Sequence, residues 1–236
     1  LPFKTALEGR ATKQEWFELQ QAQEAYAPQF AAKKIVYCRF LKEHAFAPVS
    51  GAEFINNALF ALAYEGALLA LLNSPVTWLH LRSTGTDMSG GFSQADAADL
   101  ESLPIPNDLK AMAEPLEELA SDASRLAQKR LTLQTALTRR IPDLCPPGRD
   151  PKLTTRLQEW WTLPDFAAFR AEVKKVFKAD IPLTERSAWE DWITRDRAEI
   201  ARLSAEITKA EAQIDSIVYG LFDLTPDEIA LLEASI

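Results

Sequence analysis

The chain has 236 residues, a net charge of −8 and a pI near 5.0. That length has room for one or two domains with a real core, and that charge argues against a non-specific nucleic-acid binder, because phosphate contacts draw on Lys and Arg. No apolar run reaches the ~18 residues of a membrane span, no signal peptide is visible, and Cys38 and Cys145 fit a reducing cytoplasm rather than a disulfide framework.

The first residue is Leu1 rather than Met, which reads as a fragment of something larger. Gln14 to Glu24 predicts a short helix that stops before Pro28. Lys33 to Phe40 is rich in β-branched and aromatic residues and predicts a strand, with Ala45 to Pro48 continuing it. After the Ser50-Gly51 turn, Phe54–Asn57 and Ala58–Leu62 read as two further strands. Ala67–Asn73 is a short apolar helix, and Ser74-Pro75 starts another that runs to Leu81. Arg82 to Gln94 is the stretch richest in Gly and hydroxyls and reads as a loop. Asp96–Leu100 is a helical turn, and Leu103-Pro104-Ile105-Pro106 is held extended by its prolines.

Two heptad seams follow. The first is Leu109, Met112, Leu116, Leu119, Ala123, Leu126, Arg130, Leu133, Leu137. The second is Trp189, Ile193, Asp196, Ile200, Leu203, Ile207, Ala210, Ile214, Ile217, Leu221. Alternating steps of three and four are coiled-coil spacing, broken only by Arg130 and Asp196. The seams can pair within one chain or between chains; the intervening insert leaves room for the return and favours an intramolecular hairpin. A Pro-rich break at 141–151 and an aromatic helical insert over 152–183 join them. Thr184 is the expected N-cap of the second long helix. Thr225-Pro226-Asp227-Glu228 opens a last helix, 226–234.

The expected fold class is therefore α+β. A small mixed α/β recognition module at 1–107 precedes a long antiparallel helical hairpin at 108–236. Its helices span about 108–140 and 185–220, with the insert between them and the terminal helix after.

No P-loop, GxGxxG or Ser-His-Asp grouping is present, no metal-ligand spacing occurs, and no residue here is assigned a catalytic, metal-binding or cofactor-binding role. Two stretches carry chemistry suited to DNA. Residues 1–50 hold seven Lys/Arg against five Glu, and Lys33, Lys34, Arg39 and Lys42 are candidate phosphate or groove contacts. In the 82–94 segment, Arg82 can reach guanine and Gln94 can pair with adenine. Thr84, Thr86, Ser89, Gly90 and Gly91 can seat phosphates or base edges. Tyr37 and Phe92 are candidates to stack or wedge, with burial the competing role for Tyr37.

The order of residues adds a resemblance. Lys34-Ile35-Val36-Tyr37 is followed by Phe54-Ile55-Asn56-Asn57, Leu68 to Ser74, Gly90-Gly91-Phe92, and Leu100 to Pro106. The tail from Ile214 to Ile229 completes the series. Together these resemble the target-recognition domain of Taq-type adenine-specific DNA methyltransferases, in particular type IIG restriction–modification enzymes and related phage-defence methylases of the bacterial cytoplasm. The resemblance implies double-stranded DNA and a methyltransferase domain of the same parent as partners. S-adenosylmethionine would be held by that catalytic domain and not by this chain, which lacks the Asn-Pro-Pro-Tyr motif. Residues 1–107 hold eight Lys/Arg and eleven Asp/Glu, more acidic than is usual for the family. The alternative reading is a coiled-coil protein-interaction module without DNA contact.

Overall fold

A computed structural model describes residue 28, residues 31–43 and 45–51, and residues 59–235. The helix expected over 14–24 and the strand expected over 54–57 lie outside the described residues.

The strand predicted from Lys33 does form, and it serves two sheets in succession. Strand β1 (Lys34–Cys38) is the centre of an antiparallel sheet, between β3 (Phe46–Val49) and β4 (Leu59–Ala63). Tyr37 stands opposite Phe46 on one side and Phe60 on the other. The Tyr37 ring is tilted against Phe46 at 5.2 Å and stacked on Phe60 at 5.3 Å. After Arg39 the same run becomes β2 (Phe40–Leu41), which pairs with β6 (Phe92–Gln94); β6 in turn pairs with β5 (Thr86–Met88). Ala45–Pro48 does not continue β1; it turns back as β3. Odd positions Ile35, Tyr37 and Leu41 face the core while Cys38, Phe40 and Lys42 are exposed, as period-two alternation demands.

Helix α1 (Gly66–Leu72) packs against β3, and α2 (Pro75–Thr84) packs against α1. Helix α1 is apolar all round because it is covered all round. Asn73 at its end closes the junction: its amide donates to the Phe46 and Leu69 carbonyls, and its carbonyl oxygen accepts the Phe46 N–H. Ser74 and Thr77 both donate to the Leu71 carbonyl. The Leu-Leu-Asn-Ser run thus has a structural role, supplying partners to buried backbone.

Helix α3 (Ala97–Glu101) and a 3-10 turn (Asn107–Lys110) lead to the first long helix, α4 (Ala113–Thr138). The α-helix starts later than residue 108, so Leu109 meets the core from the 3-10 turn. The second long helix, α7 (Arg186–Leu221), returns antiparallel along it. Lys129 meets Glu199 and Arg130 meets Ser204 across the pair, and the hairpin closes within one chain. Thr184 is not the cap: the helix begins one residue later than expected, with Glu185 at the N-cap. The buried seam follows the predicted heptad to Ile214, then moves to Val218 and Tyr219, leaving Ile217 half-buried. An α-helix of 3.6 residues per turn drifts off a strict seven-residue repeat. Helix α8 (Pro226–Ala234) starts where the sequence placed it, and its N-cap Thr225 forms a capping box with Glu228.

The insert between the long helices is a compact head. It contains α5 (Thr155–Gln158), a 3-10 turn (Trp160–Thr162) and α6 (Phe166–Phe177). Two separate cores result. One joins the front module to the near end of the hairpin, with Ile35, Tyr37, Leu71, Leu116, Ala120, Ile214 and Val218. The other fills the far end, with Leu137, Trp160, Phe169, Phe177, Trp189 and Ile193. None of the helices formed by the described residues is long and apolar enough to cross a membrane.

Candidate nucleic-acid interface

The segment expected as a loop over 82–94 is the end of a helix followed by a β-hairpin. Helix α2 carries on to Thr84, and Gly85 turns the chain. A Cβ at Gly85 would sit 2.6 Å from both the Gln94 and Leu81 carbonyl oxygens, so only glycine allows the chain to pass. Strands β5 and β6 pair in register, Met88 opposite Phe92, across Ser89-Gly90-Gly91. Gly90 and Gly91 take φ of +82° and +77°, the left-handed conformation that glycine accepts without strain.

The pairing decides which side chains share a face. Phe40, Gln94 and Thr86 form one cross-strand row. Met88 and Phe92 form the next row on that same face, because side chains two apart on a strand point the same way. Phe40 is 47% exposed, Met88 41% and Phe92 37%. With Ser89 they line a shallow depression of about 390 Å³. Lys42 holds its ammonium 4.6 Å from the Phe92 ring centre, and the Arg39 guanidinium lies 5.9 Å from that of Phe40. Leu41 and Ser93 point inward instead and are buried.

One edge of this face is polar and cross-linked. Arg39 donates to both Asp96 carboxylate oxygens at 2.7 and 3.2 Å, and Gln94 donates to Asp96 at 2.8 Å. The hydrogen bonds from Arg39 and then Gln94 hold the Asp96 carboxyl below the usual carboxylate range. The Asp96 N–H is itself received by Asp99 at the start of α3. The cluster is half-buried, with the Arg39 and Asp96 side chains each 42% accessible, so the guanidinium can exchange Asp96 for a phosphate without leaving a fully buried charge.

The other sequence candidates are placed differently. Lys34 is buried, with its ammonium on the Ala32 and Gly51 carbonyls, so it is withdrawn as a phosphate contact. Lys33 stands over the Tyr64 ring at 3.3 Å, at the far end of β1. Tyr37 is 2% exposed and its phenol is pushed up to about 12, by burial first and then by Asp96 and Asp99; it is core and cannot stack on a base. Arg82 lies on the last turns of α2, not in a loop, and donates to the Ser235 carbonyl beyond α8. Thr84, the last residue of α2, donates to the His80 carbonyl. Thr86, Ser89, Gly90, Gly91, Phe92 and Gln94 belong to the hairpin, with Arg39 and Lys42 from the neighbouring strand. Sequence reasoning missed Phe40 and Met88 as exposed residues. The signal for Phe40 was its parity with Cys38 and Lys42, opposite to Ile35, Tyr37 and Leu41.

Residues 109–218 match a family model described as a domain of unknown function (DUF8810). The matched span runs from the 3-10 turn before α4 almost to the end of α7, and includes the head but not the front module. No curated protein matches the sequence.

Proposed function

We propose that this chain is the DNA sequence-recognition portion of a restriction–modification or phage-defence adenine-N6 DNA methyltransferase. The catalytic domain and its S-adenosylmethionine belong, in this reading, to another part of the parent protein. The observation that carries the reading is the outward face of the second sheet. Two exposed phenylalanines and a methionine stand beside Gln94, Lys42 and Arg39, on a glycine-shaped hairpin and the strand β2 that pairs with it. Exposed aromatic rings flanked by cations suit contact with bases and phosphates, and a two-stranded ribbon fits the major groove. Gln94 is the side chain suited to adenine, Phe92 and Phe40 to a base face or thymine methyl, and Lys42 to a phosphate. The hairpin arm then holds this face at a set position relative to the catalytic domain.

The apolar character of the same depression favours one rival, a protein partner docked on Phe40, Met88 and Phe92. Incubating the full-length parent with genomic DNA and S-adenosylmethionine, then mapping N6-methyladenine by single-molecule sequencing, separates the two. The expected result is one discrete methylated motif, changed or lost in Phe92→Ala and Gln94→Ala. Methylation indifferent to both substitutions, or none at all, sinks the recognition reading and leaves the protein partner.

A further inference from the structure

The head at the far end of the hairpin carries charge of the opposite sign to the rest of the chain. Residues 149–178 hold seven Lys/Arg and four Asp/Glu within a protein of net charge −8. Six of those cations, Arg149, Lys152, Arg156, Lys174, Lys175 and Lys178, are exposed. The fold gathers them. Arg149 donates to the Phe177 carbonyl at 2.7 Å, fixing one end of the 149–156 segment on the last turn of α6. Thr154 donates to Glu172 at 3.3 Å, and Arg156 and Lys175 lie 3.9 and 3.4 Å from the same carboxylate. The segment therefore runs along the C-terminal half of α6. Lys174, Lys175 and the capping residue Lys178 extend from that half.

Local needs do not use up this charge. A helix C-terminus presents only about half a negative charge, and Arg149 already serves one of its carbonyls. Glu172 is buried and shared by two cations. Lys152, Lys174 and Lys178 are left facing solvent in a protein whose net charge is acidic. From Ile214 in the near core to Ile193 in the far core, α7 runs 21 residues, roughly 30 Å at 1.5 Å per residue. The head is therefore set apart from the front module by the length of the arm.

We infer that the far head is a second DNA contact, a phosphate-binding surface that grips the duplex backbone away from the sequence-reading hairpin. It rests on the DNA reading of the front module for its ligand, but not for its charge. An acidic segment of a protein is the competing occupant. The head supplies affinity without sequence preference, because phosphates carry none. It also gives an acidic chain a local surface that DNA tolerates.

The test is the salt dependence of binding by the whole chain to a fluorescent duplex of about three helical turns, read by anisotropy between 50 and 200 mM salt. The variant Lys152→Gln, Lys174→Gln, Lys178→Asn should weaken low-salt binding by about ten-fold. It should flatten the slope of log K against log salt by about 0.9 for each phosphate no longer neutralised. Thermal unfolding followed by circular dichroism should match the parent. A control neutralising Lys110, Arg125 and Lys209 on the arm should leave the slope as it was. An unchanged slope in the head variant, an equal loss in the control, or no duplex binding by the parent chain at low salt overturns the proposal. Loss of polyglutamate binding with DNA binding intact also overturns it, in favour of the acidic protein. If the slope flattens as expected but no duplex sequence is preferred, the head contact stands and the recognition reading of the hairpin falls.

Discussion

The two ends of this molecule use aromatic residues in opposite ways. In the far head Trp160 and Phe169 are fully buried, Phe169 stacks on Trp189 at 6.0 Å, and the Trp160 indole N–H reaches the Gln134 carbonyl. In the front module Tyr37 is packed between Phe46 and Phe60, yet Phe40 and Phe92 stand in solvent on the neighbouring sheet. Burial of a large ring is the ordinary outcome of folding. Leaving two beside a methionine exposes an apolar patch that folding alone does not explain. Aromatic content therefore marks stability in one region and an interaction surface in the other.

The sharpest way to break that comparison is to shorten a ring in the head. Trp160→Ala removes a fully buried side chain and strips the Gln134 carbonyl of its indole donor. A loss of ~3–5 kcal/mol is expected, read by equilibrium denaturation. Phe169→Ala should fall in the same range. A loss under ~1 kcal/mol would mean that the head is not a packed core.

A smaller effect tests how the front module is seated on the arm. Gly66 begins α1 against α4, and a Cβ there would lie 2.5 Å from the Glu117 Cγ and 2.9 Å from its Cα. The backbone atom cannot swing aside as a side-chain tip can. Gly66→Ala should therefore push the two helices apart and cost ~1–3 kcal/mol. Normal stability would show that this contact does not set the position of the module.

How much of this was legible follows from the kind of signal each element gave. The long helices were readable because a burial stripe repeats over many turns: Trp189, Ile193, Ile200, Leu203, Ile207 and Ile214 are buried where the heptad put them. The N-cap at Thr225, with Pro226 after it, was equally local. The 82–94 hairpin was not, because Gly85, Ser89, Gly90 and Gly91 look like loop residues. What makes strands of Thr86–Met88 and Phe92–Gln94 is pairing with Phe40 and Leu41, about fifty residues earlier. Burial of Lys34 depends on carbonyls at Ala32 and Gly51 that no local pattern announces. Arg82 was misplaced for the same reason, since its partner is the Ser235 carbonyl at the other end of the chain.

A third, pH-dependent effect lies where the front module meets the hairpin. A cleft of about 490 Å³ there is lined by Glu43, Asn73, Ala123, Arg130, Glu211 and Asp215, among others. The Asp215 carboxyl is pushed up from 3.8 to about 7, by burial first and then by Glu211 and Glu233. Because its folded value is raised, the stabilisation is fully present below about pH 4 and is lost as pH rises through about 7. The whole shift corresponds to roughly 4 kcal/mol, and partial solvation should reduce this to ~1–2 kcal/mol. Asp215→Asn should then be more stable than the parent at pH 8 by about that amount, with the difference vanishing near pH 4. Denaturant titrations at the two pH values check this; equal gains at both would assign the effect to packing rather than to charge.

The smallest expected change in stability carries the most information about function. Phe92→Ala truncates a ring that is 37% exposed and backed on the open side by the Lys42 ammonium. Stability should move by no more than about 0.5 kcal/mol, in contrast with the same truncation of Phe169. If the ring serves recognition, the sequence preference of the parent protein should change while the salt dependence of binding stays as it was, because every Lys and Arg is still in place. A large loss of stability would instead place Phe92 with the core residues. The exposed face of the second sheet would then need no partner to explain it.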